Sequence, residues 1–259
     1  MAGVGRTAWV TGGGRGIGRA CALALAKHGH SVAVTARTED DVRETARLCD
    51  GAGARATYAT AADATRPEDV GAALDRISAS IGFPDILVNN AGLARSEAFL
   101  KTTPEMMEHL WRLHVMGAFH TTRLVLPHMV EHGWGRVVNM GSVSGKVGAK
   151  YVAAYAASKH GLLGLTRSVA VEFADKGVTV NAVCPGYVDT PQTDHNIDNI
   201  VQRTGMDRAE ARRRLESMSP QGRFTRPEEV AALVAFLCTD EAANINGQAV
   251  TIDGGAVQW

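Results

Sequence analysis

The sequence places a tyrosine and a lysine where they can act together in proton transfer. Tyr155 and Lys159 are four residues apart in a stretch of helical periodicity, so both side chains are expected on one face of a helix. A tyrosine with an ordinary pKa near ~10 is a poor acid or base at neutral pH, but a nearby cation stabilises its phenolate. The pair therefore predicts a tyrosine whose proton transfer is assisted by a lysine.

A glycine-rich turn after the first predicted strand indicates a nucleotide site. Residues 11–18 have the sequence TGGGRGIG, and an alanine-rich predicted helix follows. Glycines let the backbone turn tightly and bring its N–H groups and the helix N-terminus close to a pyrophosphate. The spacing of Gly12, Gly16 and Gly18 differs from the common GxGxxG, but its position after the first strand still favours a dinucleotide.

The end of the second predicted strand favours NADP(H) over NAD(H). An acidic residue there would accept hydrogen bonds from a ribose 2′-hydroxyl, whereas arginine accommodates a 2′-phosphate. The strand ends with Ala36 and Arg37, and Arg15 in the glycine loop is within reach of the same phosphate. We therefore expect NADP(H), with NAD(H) as the alternative.

Short apolar or β-branched runs alternate with longer helical stretches, which predicts repeated βαβ units and a mostly parallel sheet. Strands are predicted near 6–11, 31–36, 55–60, 85–89, 135–141, 178–184 and 248–252. Helices are predicted near 16–29, 39–52, 67–82, 104–132, 151–175 and 227–238. The polar stretch near 190–220 interrupts this alternation and is expected to be a substrate lid, while the whole chain, 1–259, is expected to form a single domain.

Composition narrows the class of protein further. The 259 residues carry 27 basic and 27 acidic side chains, which argues against a general nucleic-acid or membrane binder. The four cysteines are far apart without a CxxC pair, which favours a reducing compartment. With no run of ~18 apolar residues and no apolar leader at the start, a cytoplasmic protein is expected.

Several motifs in register resemble the short-chain dehydrogenase/reductase family. They are the glycine loop, the Asn89-Asn90-Ala91-Gly92 segment, Ser142, the Tyr155-xxx-Lys159 pair and Pro185-Gly186. The resemblance covers essentially the whole chain and implies a Rossmann-type, doubly wound α/β fold with a seven-stranded parallel sheet, and usually a homotetramer. The predicted cofactor-binding residues are Gly12, Gly14, Arg15, Gly16, Ile17, Gly18, Arg37, Asp63, Asn90, Ala91, Gly92, Tyr155, Lys159, Pro185, Gly186, Val188 and Thr190.

The resemblance also assigns catalytic roles. Tyr155 would give its proton to a carbonyl oxygen as hydride arrives from the cofactor, and Lys159 would lower the pKa of the tyrosine and hold the ribose hydroxyls. Ser142 would hydrogen-bond the same carbonyl oxygen and stabilise its developing charge. The predicted substrate contacts are Ser142, Val152, Tyr155 and Tyr187.

His114 departs from the family pattern, in which an asparagine usually stands at this position. That asparagine is thought to shape a helix bulge whose backbone carbonyl holds a water, which links the lysine to solvent. His114 is expected among the catalytic residues in one of two ways: its backbone carbonyl preserves the water, or its imidazole relays protons itself. The plain alternative is that His114 only packs.

The segments around Tyr155 and Pro185 resemble ketoreductases acting on 3-oxoacyl thioesters, including those of aromatic polyketide pathways. They are also similar to 3-hydroxybutyrate dehydrogenases, which hold a carboxylate with polar groups at the positions of Ala94, Ser144 and Val152. Two of these three positions are apolar here, so a 3-oxoacyl thioester carried by coenzyme A or acyl carrier protein, or a related β-keto substrate, is favoured.

Other interpretations stay open. One is an NAD(P)-dependent dehydrogenase of a hydrophobic or alicyclic secondary alcohol or a 3-hydroxy acid, and another is a non-catalytic NADP(H) sensor. The basic residues 212–214 are expected to lie on a solvated helix face, or alternatively to meet coenzyme A phosphates or acyl carrier protein. His128 and His132 have helical spacing but no evident third ligand, so no metal is assigned.

Overall fold

A computed structural model describes residues 5–258, and the sheet at its centre has seven parallel strands. Their order is β3-β2-β1-β4-β5-β6-β7, which confirms the predicted doubly wound α/β fold. The strands are β1 Thr7–Thr11, β2 Ser31–Ala36, β3 Thr57–Ala61, β4 Ile86–Asn89, β5 Gly135–Met140, β6 Val178–Pro185 and β7 Ala249–Ile252. Residues 1–4 and 259 lie outside the described part, and the single domain over 1–259 stays a prediction.

The helices form a layer on each face of the sheet. They are α1 Gly16–Lys27, α2 Glu39–Ala52, α3 Pro67–Ile81, α4 Pro104–Trp111, α5 Gly117–Glu131, α6 Ala153–Glu172, α7 Pro191–Thr204, α8 Arg208–Glu216 and α9 Pro227–Leu237. One apolar core joins the sheet to α1, α2 and α9, and another joins it to α3, α5 and α6. Successive strand residues point to opposite faces, so in β1 Val10 packs in the first core and Trp9 in the second.

The strand order fixes where a ligand can bind. The chain turns outward from β1 to β2 and β3 on one side and to β4 through β7 on the other, so the order reverses between β1 and β4. In open parallel sheets this reversal leaves a crevice at the carboxyl ends of the strands. Thr11, Asn89 and Met140 are the last residues of β1, β4 and β5, and the sequence-predicted site residues follow these ends.

The long helix predicted near 104–132 is divided in the structure. After α4 a π-helical turn spans Arg112–Met116, and α5 then continues the helix from Gly117. Single π-helical turns inside α-helices are frequent at functional sites. Because apolar residues recur through this whole stretch, the periodicity contains no sign of the interruption.

The segment predicted as a lid contains two helices rather than loop. Proline begins α7, and Asp207 caps α8 by accepting hydrogen bonds from the backbone N–H groups of Ala209 and Glu210. A small apolar cluster holds the two helices together, and it consists of Ile197, Ala211, Leu215 and Phe224 with partly buried neighbours. The sequence indicated helical spacing around residues 212–214, but the apolar positions were too few to give the bounds of either helix.

Candidate active site

The glycine loop is held in shape by the segment that follows β4. The Asn90 side-chain amide donates hydrogen bonds to the backbone oxygens of Thr11 and Gly12, both at 3.0 Å. In return the Thr11 hydroxyl accepts from the backbone N–H groups of Asn90 and Ala91, both at 3.1 Å. These four bonds join the ends of β1 and β4 across the crevice.

Glycine is required at specific positions of this loop. Gly12 and Gly16 have φ angles of 62° and 53°, which most side chains avoid. A Cβ atom at Gly18 would overlap the backbone oxygen of Gly12 and the side-chain amide of Asn90. The loop therefore leaves no room for a larger residue where α1 passes beneath it.

The start of α1 fits the pyrophosphate of a dinucleotide. Arg15 precedes the helix without capping it through its side chain, and the first turn contains no acidic residue. The first N–H groups of the helix are thus available to an anion, and the helix dipole favours negative charge there. The predicted contact Thr190 also lies beside this loop, since a Cβ atom at Gly16 would be 3.4 Å from its Cγ2 atom.

The residues expected to bind the adenosine half lie where β2 and β3 end. Arg37 follows β2 directly and is exposed, as is Arg15. Asp63 follows β3, and its carboxylate accepts hydrogen bonds from the N–H group and hydroxyl of Thr65 at 2.9 and 2.8 Å. Burial raises the pKa of Asp63, but these bonds and the positive charge of Arg37 outweigh it. The pKa is therefore lowered, and the carboxylate stays ionised.

Ser142, Tyr155 and Lys159 are brought together at the carboxyl end of β5. Ser142 starts a short 3₁₀ turn just after the strand, while Tyr155 and Lys159 lie in the first turns of α6. The Lys159 Nζ atom is 5.7 Å from the centroid of the Tyr155 ring and donates a 2.7 Å hydrogen bond to the backbone oxygen of Met140. This arrangement agrees with the sequence prediction that the three side chains share one site.

Burial controls the protonation of this group. It lowers the pKa of Lys159 to about 8, because the residue is only 5% exposed and a charged ammonium is disfavoured away from water. Burial also raises the pKa of Tyr155, and hydrogen bonding with the Ser142 hydroxyl opposes that rise. Near neutral pH the free protein thus holds a neutral phenol beside a protonated lysine.

His114 lies in the π-helical turn and is 2% exposed. Its ring meets the Tyr155 ring edge-on, with centroids 5.5 Å apart. Beside it, a cavity of about 10 Å³ is lined by residues that include Thr11, Asn89, His114 and Lys159. That volume matches about one water molecule, so the cavity is of the size that the predicted relay water requires.

The expected ketone side of the site is mostly apolar. Leu93 and Tyr155 both pack against a buried cluster of Met106, Leu110 and Ala154. Val152 is half-buried before α6, and Tyr187 is 37% exposed after β6, with its phenol raising the pKa of Tyr155 electrostatically. The predicted substrate contacts Val152 and Tyr187 therefore lie in a site with an apolar cluster beside Tyr155.

The segment predicted as a lid contacts the loop that follows the Asn90 segment. The Gln192 side-chain amide of α7 donates to the backbone oxygen of Ala94 at 3.3 Å, and Arg203 pairs with Glu97 at 3.2 Å. From the other side, the Glu97 N–H group donates to the backbone oxygen of Tyr151 at 2.7 Å. The structure therefore places α7 over the loop from Leu93 to Phe99.

The sequence did not predict the roles of Thr11 and Ser158, which hold other residues of the site in place. Thr11 clamps the segment after β4, and Ser158 lies between His114 and the backbone of Tyr155. A hydroxyl inside the Tyr155-xxx-Lys159 motif was the available signal for Ser158. For Thr11 the sequence offered only its place as the first residue of the TGGGRGIG segment.

The two histidines with helical spacing stack on each other. The rings of His128 and His132 are 4.0 Å apart, and His132 Nδ1 is 2.8 Å from the backbone oxygen of His128. Among residues 5–258, no group of three potential ligands is placed to hold a metal ion. Within that same range, no helix combines the length and apolar character needed to cross a bilayer.

Comparison with known proteins agrees with this geometry. A family model described as enoyl-(acyl carrier protein) reductase matches residues 12–257. The chain is 37% identical to D-beta-hydroxybutyrate dehydrogenase of Cupriavidus necator over 98% of both chains. It is also 37% identical to 3-oxoacyl-(acyl-carrier-protein) reductase of Vibrio cholerae over 97% of both. A variant of actinorhodin polyketide ketoreductase, solved with NADPH, superposes with a TM-score of 0.94 at 35% identity over 98% of both chains.

The fold, the site and these matches define an oxidoreductase that acts between hydroxyl and keto groups and uses a nicotinamide dinucleotide. The chain belongs to the short-chain dehydrogenase/reductase family.

Proposed function

We propose that this protein reduces a ketone to a secondary alcohol with NADPH, and that its substrate is a 3-oxoacyl thioester or a related β-keto compound. The observation that carries the reaction type is the cluster of Tyr155, Lys159 and Ser142, in which Lys159 Nζ lies 5.7 Å from the tyrosine ring. Membership of an oxidoreductase family argues against a sensor that binds the cofactor without turnover.

Two exposed arginines support NADPH over NADH. Arg37 directly follows β2, Arg15 lies in the glycine loop, and no acidic residue ends the strand. A 2′-phosphate would be held by these guanidinium groups, whereas a free 2′-hydroxyl would lack an acidic acceptor at the strand end. The solved relative named above, which contains NADPH, is consistent with this preference.

The residues divide the reaction among them. The reduced cofactor, when bound, supplies a hydride to the carbonyl carbon. Tyr155 gives its phenolic proton to the carbonyl oxygen, and Ser142 donates a hydrogen bond to that oxygen as negative charge develops. Lys159 holds the ribose hydroxyls and stabilises the resulting phenolate, and the small cavity beside it has room for one water on a path that returns a proton.

The apolar side chains of Ala94 and Val152 support a thioester or β-keto substrate over a short hydroxy acid. A free carboxylate needs cationic or hydrogen-bonding partners when it leaves water. Ala94 and Val152 offer it none, and Ser144 alone of the three compared positions is polar. The similarity to a D-beta-hydroxybutyrate dehydrogenase keeps oxidation of a hydroxy acid, or of a hydrophobic alcohol, as the second candidate.

The proposed partners follow from surface features. An apolar groove between α5 and α6, lined by residues that include Phe119, Leu126, Leu165 and Val169, supports a homo-oligomer, for which we propose the family's usual tetramer.

For acyl carrier protein the support is weaker, because Arg212 pairs with Asp189 and Glu216 while Arg214 pairs with Glu210. A cytoplasmic location stays a prediction.

The test compares the oxidation of NADPH and NADH in the presence of acetoacetyl-CoA and a panel of bulky or cyclic ketones. We expect turnover of the thioester with NADPH, and a loss of about 10²–10⁴-fold in Tyr155→Phe, whose ring keeps its shape but has no proton to give. NADPH binding by Tyr155→Phe, followed by fluorescence titration, is the control for an intact cofactor site. A preference for NADH would contradict the cofactor proposal, and turnover of cyclic ketones alone would favour the second candidate.

A further inference from the structure

His114 is hydrogen-bonded at both ring nitrogens inside the protein. Its Nδ1 atom is 2.8 Å from the Ser158 hydroxyl, and its Nε2 atom accepts a 3.2 Å hydrogen bond from the backbone N–H of Leu93. Ser158 in turn donates its own proton to the backbone oxygen of Tyr155 at 2.7 Å. The imidazole thus lies between the loop that begins at Leu93 and the main chain of the proposed catalytic tyrosine.

These contacts fix the tautomer of His114. A backbone N–H can only donate, so Nε2 must present its lone pair to Leu93. The single Ser158 proton is directed to the Tyr155 backbone, so Nδ1 must carry a hydrogen and donate it to the Ser158 oxygen. Burial and the nearby charge of Lys159 hold the pKa of His114 well below its usual value, which agrees with a neutral ring.

The same contacts leave the ring no route for relaying protons. The hydrogen-bonded chain runs from Nδ1 through the Ser158 hydroxyl and ends at a backbone carbonyl oxygen, which cannot pass a proton onward. Nε2 is occupied by an amide that does not give up its hydrogen. Lys159 directs a hydrogen bond elsewhere, to the backbone oxygen of Met140.

We infer that His114 is a positioning residue, which as a neutral Nδ1–H imidazole ties the Leu93 loop to the backbone of Tyr155 and so sets the ketone site against the proton donor. Packing supports the same link, because Leu93 and Tyr155 both pack against one buried cluster of Met106, Leu110 and Ala154. The neighbouring Gly92 leaves space for the ring, since a Cβ atom there would be 3.1 Å from Nε2. Of the two catalytic roles expected for His114, this geometry argues against the imidazole relay and leaves the backbone-bound water untouched.

The inference on catalysis rests on the proposed function, but its structural part can be tested without turnover. In protein labelled with ¹⁵N-histidine, long-range ¹H–¹⁵N correlation spectra distinguish the two neutral tautomers and the imidazolium. The His114 signal is assigned by its loss in His114→Gln. We expect the Nδ1–H form, unchanged between about pH 6.5 and about pH 8; an Nε2–H form or an imidazolium in that range would overturn the inference even if no ketone substrate were found.

Two variants separate the two contacts. In His114→Asn the side-chain amide lies near the former Nδ1 position, so it can donate to Ser158 but leaves the Leu93 N–H without an acceptor. In His114→Gln the side-chain oxygen reaches the former Nε2 position and accepts from Leu93, while the Ser158 contact is lost. His109→Gln, an exposed change on α4, is the matched control.

Kinetics on the ketone that the protein turns over then decide the role. We expect His114→Asn to raise the KM for the ketone roughly five- to twentyfold, because the partly buried Leu93 N–H loses its partner, with kcat changed less than about threefold. His114→Gln should restore most of that KM, and both variants should keep the KM for NADPH. An unchanged KM in His114→Asn, a drop in kcat with a larger solvent isotope effect, or no rescue by glutamine would each contradict the positioning role; thermal unfolding checks that both variants are folded.

Discussion

At the scale of single residues, the burial of Lys159 predicts how activity depends on pH. Its pKa in the free protein is lowered to about 8, so the ammonium that would hold the ribose and the phenolate is lost as the pH rises through that value. The pKa of Tyr155 is raised above its usual range, so this phenol stays protonated across the same interval. Therefore kcat/KM for NADPH, which reports the free protein, should be level near neutral pH and fall about tenfold per pH unit above the lysine pKa.

The measurement is a pH profile of kcat/KM from about pH 6 to about pH 10. Lys159→Arg provides the comparison, because arginine stays charged across this range and its residual activity should lack the alkaline fall. A wild-type profile that stays level up to about pH 9.5 would show that Lys159 does not control this step. His114 should add no acidic limb above about pH 6.5, since its pKa lies well below its usual value.

Residue spacing and the family resemblance predicted residues that the structure brings together, but not their contacts. The spacing of Tyr155 and Lys159 indicated one helix face, and the resemblance to the short-chain dehydrogenase/reductase family added Ser142. The contacts of His114 depend on where a loop 21 residues earlier and a hydroxyl 44 residues later fold around it. No local pattern contains that information, so the sequence could only offer alternative roles for this residue.

At the scale of elements, the approach of α1 to the glycine loop predicts a sharp difference between two glycine substitutions. In Gly18→Ala the new methyl group would overlap the Gly12 backbone oxygen, so the free energy of unfolding should fall by about 1–3 kcal/mol and NADPH binding should be lost. In Gly71→Ala, inside α3, nothing lies within 4 Å of the new methyl group. This control should gain about 0.5–1 kcal/mol and bind NADPH normally.

Urea unfolding with and without NADPH measures both quantities for the two variants. If Gly18→Ala bound NADPH with the affinity of the unmodified protein, the backbone of the loop would have to shift without consequence for the cofactor. That result would contradict the assignment of the loop as the pyrophosphate site.

The sequence predicted the positions of the seven strands, but it gave no bounds for α7 and α8 and its periodicity did not show the π-helical turn. The strands β1, β4, β5 and β6 are buried along their whole length, so their apolar runs were visible in the sequence. Helices α7 and α8 bury only a narrow apolar stripe in their own small cluster. The π-helical turn lies within a continuous apolar pattern, so the periodicity did not show it, and the family's helix bulge at the position of His114 was the one indication in the sequence.

At the scale of the whole molecule, the groove between α5 and α6 leaves apolar surface that one chain does not cover. Its lining includes Phe119, Leu126, Leu165, Val169 and Phe173, and its volume is about 370 Å³. Apolar surface in such a groove is removed from water when a second chain packs on it, which favours association. Because α6 also carries Tyr155 and Lys159 at its start, a second chain packed on this groove would hold rigid the helix that positions them.

We therefore expect a charge in the groove to break the oligomer and to lower activity with it. Leu165→Glu would add a carboxylate to a groove whose lining already contains Glu172 as well as Arg123, and burying this added charge beneath a second chain is costly. Val171→Glu is the matched control, because Val171 lies on the same helix, is 79% exposed and does not line the groove. Sedimentation velocity should show a smaller particle for Leu165→Glu but not for Val171→Glu. An unchanged assembly in Leu165→Glu would place the interface elsewhere on the molecule.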